Sequence, residues 1–254
     1  MKRKHIISLV IIIVILIAAL YYGATRYLDI TMDSGRFSIS MNSPKQATVH
    51  KNLEAFSSIN VKLSEADIEL KSGNTFGLSY HGKKDETPTA TIKDGMLTVK
   101  EKQAHSYSHS HPELVITLPK NLNTLDHVTL VSSDGDITID TINKLSINTL
   151  TMESSNGDLD LEQCIVKDLV ATSSNGDVDI EDSSLTSSKL TSSNGDISVS
   201  LADNIANYTV SARTDSGDIS IGDNDYDPGS IQVGHGSQKI SAQTDNGDID
   251  IEND

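Results

Sequence analysis

Ser154-Ser155-Asn156-Gly157-Asp158-Leu159-Asp160-Leu161 (SSNGDLDL) decides how this chain folds, because close variants of it occur five more times. They are Ser132–Ile139 (SSDGDITI), Ser173–Ile180 (SSNGDVDI), Ser192–Val199 (SSNGDISV), Thr214–Ile221 (TDSGDISI) and Thr244–Ile251 (TDNGDIDI). Their glycines, Gly135, Gly157, Gly176, Gly195, Gly217 and Gly247, are spaced by 22, 19, 19, 22 and 30 residues. A repeat of about twenty residues signals stacked units, each burying its apolar face only against its neighbours.

Within each unit the aliphatic residues keep period two on both sides of the glycine. After it come Ile137/Ile139, Leu159/Leu161, Val178/Ile180, Ile197/Val199, Ile219/Ile221 and Ile249/Ile251. Before it come Val128/Leu130, Leu150/Met152, Leu169/Ala171, Val210/Ala212 and Ile240/Ala242, while the Gly195 copy departs with Ser188 and Leu190. Period two makes strands with one apolar and one polar face. Asn-Gly or Asp-Gly between them is a turn signal, and the usual reason for such a glycine is positive φ. On that reading the six glycines are structural turn residues, and a β-branched residue at Gly176 should be strained. Two geometries fit: coils of a β-solenoid with parallel strands, or an antiparallel meander in which each Asn-Gly is a hairpin turn. Near-identical turns at near-constant period favour the solenoid. The 30-residue gap holding Tyr226-Asp227-Pro228-Gly229 is then expected to bulge as a loop from the last coil. The C-terminus, ending directly after the last strand, is expected to leave an open edge there.

Upstream the strand pattern is less regular. Alternation is clear at Ile59/Val61/Leu63, Ile68/Leu70 and Phe76/Leu78/Tyr80; Asp94-Gly95 marks a hairpin, and Leu114–Leu118 a strand stopped by Pro119. Residues 53–130 thus read as an antiparallel β lead-in to an acidic β-repeat region, 131–254. Residues 25–52 read as a juxtamembrane tether with weak strand signal, including an echo of the repeat at Ser34-Gly35-Arg36-Phe37-Ser38-Ile39. The chain opens with Lys2-Arg3-Lys4 and then runs apolar from Ile6 to Tyr22, broken only by Ser8. That length spans most of a hydrocarbon core, with Tyr21-Tyr22 at the interface. Residues 1–5 are therefore expected to be a cytosolic tail and 6–24 a transmembrane signal anchor that places the remainder outside the cell membrane. A cleaved signal peptide is the rival, but no clear small-x-small site follows the run. No 3.6-residue apolar period appears elsewhere, so the exported part is all-β.

Charge narrows the partners. Residues 131–254 hold 5 Lys/Arg against 24 Asp/Glu, a net of −19, whereas residues 5–130 hold 12 of each. Such a surface repels nucleic acid and anionic lipid and attracts cations or cationic peptides. The single cysteine, Cys164, excludes internal disulfides and reads as a small buried hydrophobe.

The N-terminal anchor, the strand ending Ile116-Thr117-Leu118-Pro119 and the repeated Ser-x-Gly-Asp-aliphatic-x-aliphatic units resemble the bacterial putative-adhesin family, which includes LiaG-like envelope proteins. The resemblance covers about residues 50–254. It implies a β-strand-repeat ectodomain resembling a β-helix, and it supplies no catalytic residue and no ligand.

Three polar groupings have a functional and a structural reading. The aspartates after each glycine (Asp136, Asp158, Asp177, Asp196, Asp218, Asp248) could form a calcium-binding ladder, or accept hydrogen bonds from turn N–H groups. Calcium rolls repeat about every nine residues with more glycines, which favours the turn reading. Asp223-Asn224-Asp225-Tyr226-Asp227-Pro228-Gly229 resembles the start of a calcium loop but lacks its glycine and closing glutamate. His105, His109 and His111 read as a polar loop rather than a zinc or copper site. No nucleophile elbow, phosphate loop or HExxH is present. The expectation is a non-enzymatic surface module with no metal or cofactor site, engaging cationic peptides, cell-wall polymer or another envelope protein. The alternative is a calcium-dependent, lyase-like carbohydrate-active enzyme, which would need Asp223, Asp225 or Asp227 together with a Lys or Arg in one groove.

Overall fold

The computed structural model describes residues 28–33, 36–41, 46–101 and 112–253. The chain forms two compact units, residues 1–45 and 46–254. In the first, β1 (Leu28–Asp33) and β2 (Arg36–Met41) pair antiparallel. The expected anchor and the histidines at 105, 109 and 111 lie outside the described residues. Among those described, no helix is long and apolar enough to cross a membrane; the only helical pieces are 3-10 turns at Lys84–Glu86 and Ile205–Asn207.

The second unit is a single curled sheet of 18 strands. It begins with β3 (Gln46–Asn52), β4 (Ser58–Lys62), β5 (Asp67–Gly73), β6 (Gly77–Lys83), β7 (Thr89–Lys93), β8 (Met96–Lys100) and β9 (Glu113–Pro119). Next come β10 (Thr124–Val131), β11 (Ile137–Glu153), β12 (Leu159–Thr172), β13 (Val178–Thr191) and β14 (Ile197–Leu201). The chain then adds β15 (Tyr208–Ser216), β16 (Ile219–Ile221), β17 (Asn224–Tyr226), β18 (Gly229–Val233), β19 (Gln238–Asn246) and β20 (Ile249–Asn253).

Each coil has a first arm before the Ser-x-Asn-Gly-Asp turn and a second arm after it. The two arms of one coil do not pair with each other; each pairs parallel and in register with the same arm of the next coil. Val128, Leu150, Leu169 and Ser188 form one such column, and Ile137, Leu159, Val178 and Ile197 another. The Asn-Gly dipeptides are therefore coil corners, not hairpin turns. The aliphatics of both arms are buried in one continuous core, each Val, Leu, Ile or Met contributing about 1.5–3 kcal/mol by leaving water. Ser188, the exception in the pattern, is also buried, and its hydroxyl donates to Lys239 O.

The lead-in is not antiparallel throughout. β4 runs parallel to both β10 and β8, and β5 parallel to both β11 and β9. Residues 58–70 are thus another coil, with Ala66 in the glycine position and Asp67 in the aspartate position. The antiparallel pairs, β7 on β8, β6 on β9 and β3 on β6, cap that end.

Coil order also departs from sequence order at both ends. The coil of β8 and β9 lies outside that of β4 and β5. At the far end β19 and β20 insert between the β13–β14 coil and that of β15 and β16. The C-terminal strand is therefore an interior strand and not an open edge. The 30-residue spacing is not a bulging loop: its residues form β17, antiparallel to β16, and β18, antiparallel to β15, which cap the outermost coil. The 22-residue spacing after Gly135 has a local cause, since residues 141–144 face the single residue Gln163 across a register shift.

Candidate functional site: a carboxylate face built by the repeat

Each residue of the turn motif has a partner in the neighbouring coil. The serine hydroxyl donates to the glycine carbonyl next door: Ser154 to Gly135 at 3.0 Å, Ser173 to Gly157 and Ser192 to Gly176 at 2.9 Å, with Thr244 and Thr214 doing the same. The asparagine amides form a second ladder, with Asn175 Nδ2 donating to Asn156 Oδ1 and Asn194 to Asn175, both at 2.9 Å. The aspartates form a third. The backbone N–H of Asp158, Asp177, Asp196, Asp248 and Asp218 each donates to Oδ1 of the aspartate in the adjacent coil, at 2.8–2.9 Å. These ladders satisfy backbone groups that a sharp corner would leave orphaned. The Asp row is turn chemistry.

The glycines are required by closeness rather than by φ. A Cβ on Gly176 would lie 2.2 Å from Gly157 O and 2.6 Å from its carbonyl carbon, and the same holds up and down the stack. Of the six, Gly217 alone has φ in the left-handed half, at +146°. Positive φ falls instead on the opposite corner, at Lys144, Gln163 and Asp182 (φ 49°, 52° and 41°). These three stack in successive coils, and Lys144 Nζ reaches Asp182 Oδ1 at 3.5 Å. The sequence reading missed this corner, because none of the three is Gly or Asn; its signal was their shared 19-residue spacing.

Parity then sorts the charges. Outward positions on the second arm align as Thr138, Asp160, Asp179 and Ser198, and beside them as Asp140, Glu162 and Glu181. Asp250 continues the first column beside Ser198, and Ser220 follows it. On the first arm the corresponding column reads Thr129, Thr151, Val170, Lys189, Ser241 and Ser211. Lys167, Lys189, Lys239 and Arg213 all sit on first arms, and Lys144 on the far corner. From residue 131 onward, turns and second arms contain no Lys or Arg. The result is a face of carboxylates repeating at strand spacing, about 4.8 Å.

Crowding on that face shows in its proton affinities. Partial burial pushes the Asp179 carboxyl up to about 6, with Asp160, Asp177, Asp158 and Glu181 adding repulsion. Burial likewise raises Asp160, against the lowering hydrogen bond from the Thr138 hydroxyl, and raises Glu162 beside Asp140 and Glu181. Cys164 is buried, with its backbone N–H on Ser183 Oγ at 3.0 Å, and burial pushes its thiol up to about 11.

The acidic segment at Asp223–Gly229 does not wrap one ion. Asp223 faces a cavity at the end of the stack, whereas Asp225 and Asp227 line a separate groove with Asp218, Asp248, Asp250 and Tyr226. Asp225 accepts the Ser220 hydroxyl at 2.8 Å. No Lys or Arg lines that groove of about 500 Å³. Among the described residues no three His, Cys, Asp or Glu side chains converge as a metal-holding group.

The Toastrack DUF4097 family model matches residues 56–225 and 186–252, which between them take in nearly all the stacked coils. The chain belongs to the Toastrack DUF4097 family. The likeness read from the Ser-x-Gly-Asp repeats is borne out by this family match, and solved structures similar to the chain include proteins described as putative adhesins. A putative adhesin from Bacteroides fragilis is 16% identical with a TM-score of 0.46, covering 84% of this chain and 98% of that one. A putative cell adhesion protein from Clostridium sporogenes is 15% identical with a TM-score of 0.46, covering 83% and 100%. A putative lipid binding protein from Parabacteroides distasonis is 11% identical with a TM-score of 0.31, covering 82% and 96%. Among curated proteins no sequence matches.

Proposed function

We propose that this Toastrack chain is a non-enzymatic, membrane-anchored interaction module on the outside of the cell, LiaG-like in arrangement, whose second-arm face engages cationic partners. One observation carries the reading: parity places carboxylates along that face and puts every Lys and Arg of residues 131–254 on the first arm or far corner. A one-signed face steers oppositely charged partners and rejects like-charged ones. Cationic peptides and basic segments of envelope proteins fit it, and so do positively charged groups on cell-wall polymer. Lys2-Arg3-Lys4 ahead of the apolar run supports the orientation.

The test uses the full chain in nanodiscs of zwitterionic lipid, titrated with a lysine oligomer. Neutralising Asp160, Asp179 and Asp250 to Asn should weaken binding about tenfold, from two half-buried and one exposed charge contact. Neutralising Asp126 and Asp168 on the first arm should change it little. Equal losses from both sets would show that net charge alone, not the face, governs binding.

A further inference from the structure

The outermost coil ends differently from the coils behind it. Each arm gains one more antiparallel strand, β17 on the second arm and β18 on the first, linked through Asp227-Pro228 at the turn corner but not at the far end. At that far end, between the start of β17 and the end of β18, lies a cavity of about 450 Å³. Its apolar wall is Ile205, Val210, Ile221 and Val233; Val210 and Ile221 are buried, and Ile205 and Val233 are half-buried against the core. Tyr208 also lines it, with its hydroxyl already taken by Leu185 N–H and Asp203. Asn253 is occupied as well, accepting the Ile205 N–H at 2.7 Å. That leaves Asp223 and Glu252 as the charged groups of the lining, both exposed, with no Lys or Arg among them. Gly222 and Gly234 form part of the rim without side chains.

We infer that this terminal cavity binds a cationic amphiphile, its apolar body against Ile205, Val210, Ile221 and Val233 and its positive head at Asp223 and Glu252. On binding, the half-buried Ile205 and Val233 side chains and the ligand's own tail leave water together, and two carboxylates at the mouth select the sign of the head group. The cavity lies at the end of the stack, away from the Asp160, Asp179 and Asp250 column, and shares only Glu252 with the outward side of the second arms, so it goes beyond the proposed face and either can fail alone.

The experiment is methyl NMR on the full chain in zwitterionic nanodiscs, labelled at the isoleucine δ1 carbons and titrated below micelle-forming concentration. Octyltrimethylammonium is compared with octyl sulfate, which has the same tail and the opposite head. The cation should shift the Ile205 and Ile221 methyls saturably, while the sulfate leaves them nearly still. Asp223→Asn with Glu252→Gln, both at exposed positions, should lower the affinity for the cation about fivefold without moving the unliganded methyl signals. An equal response to octyl sulfate, no saturable shift, or shifts spread evenly over all isoleucines would overturn the inference.

Discussion

Replacing Gly176 by alanine adds one methyl group where two coils approach closely. That carbon would lie 2.2 Å from Gly157 O, 2.6 Å from the Gly157 carbonyl carbon and 2.9 Å from Asp158 Oδ1. Backbone cannot swing aside as a flexible side chain can, so the two coils must part at this corner. Overpacking of this kind costs about 1–3 kcal/mol. Parting also stretches the Ser173-to-Gly157 and Asp177-to-Asp158 hydrogen bonds, at 2.9 and 2.8 Å, each worth about 1 kcal/mol. The sum is about 3–5 kcal/mol, or a fall in Tm of about 6–20 °C for a unit of this size. Gly222→Ala is the control. Gly222 has φ +59° and nothing within 4 Å of its Cβ position, so it bears only the left-handed penalty of about 1 kcal/mol. Calorimetry or circular dichroism on the full chain in one membrane mimic reads both. A Gly176→Ala melt that falls no further than that of Gly222→Ala would refute the close-approach explanation.

Two more outcomes follow from the carboxylate face. The folded-state pKa of Asp179, about 6, lies above the ordinary aspartate value of 3.8, so the folded chain holds that proton more tightly than the unfolded chain. Stability should therefore be lowest above pH 6 and rise as pH falls towards about 4. After allowance for solvent screening the gain is about 1 kcal/mol, or about 2–4 °C between pH 8 and pH 5. Asp179→Asn should raise Tm at pH 8 and flatten the profile, and an unchanged profile would show the crowding to be unimportant. Asp177→Ala leaves the Asp196 N–H without its acceptor, at a cost of about 1–2 kcal/mol, whereas Asp177→Asn keeps an oxygen there and should melt at or above the parent. If the two substitutions melt alike, the aspartate ladder is not holding the turns.

The sequence carried the unit of this fold but not its assembly. Period two around each glycine identified inward and outward residues correctly, because side-chain direction in a strand follows from the backbone alone. The coil at 58–70 was hidden by Ala66, which breaks the glycine signature while leaving Leu63-Ser64-Glu65-Ala66-Asp67-Ile68 in the same pattern. The swapped coils at each end were not legible, since β14 and β16 offer β20 the same apolar column and nothing local selects between them. The carboxylate face lay half in view. Net charge by segment was countable, but the absence of Lys and Arg from second arms and turns appears only when the registers are known. The glycine role was assigned to φ because a turn dipeptide is judged from its own backbone, whereas the real constraint comes from the carbonyl of another coil.

The stacking order is what places every charge, and a disulfide test reads it directly. Asn194 bridges Asn246 across neighbouring coils, with Cα atoms at strand spacing, about 4.8 Å, inside the range a disulfide spans. Ser216 pairs with Asn246 on its other side, so Asn194 and Ser216 are two strand spacings apart, about 10 Å. Cys164 is buried and stays out of the exchange. Under mild oxidation Asn194→Cys with Asn246→Cys should close to the disulfide nearly completely, and Asn194→Cys with Ser216→Cys should remain reduced, as scored by mass spectrometry of peptides from the oxidised chain. Closure of the second pair and not the first would mean that the coils stack in sequence order, and the arrangement of the acidic face would have to be redrawn.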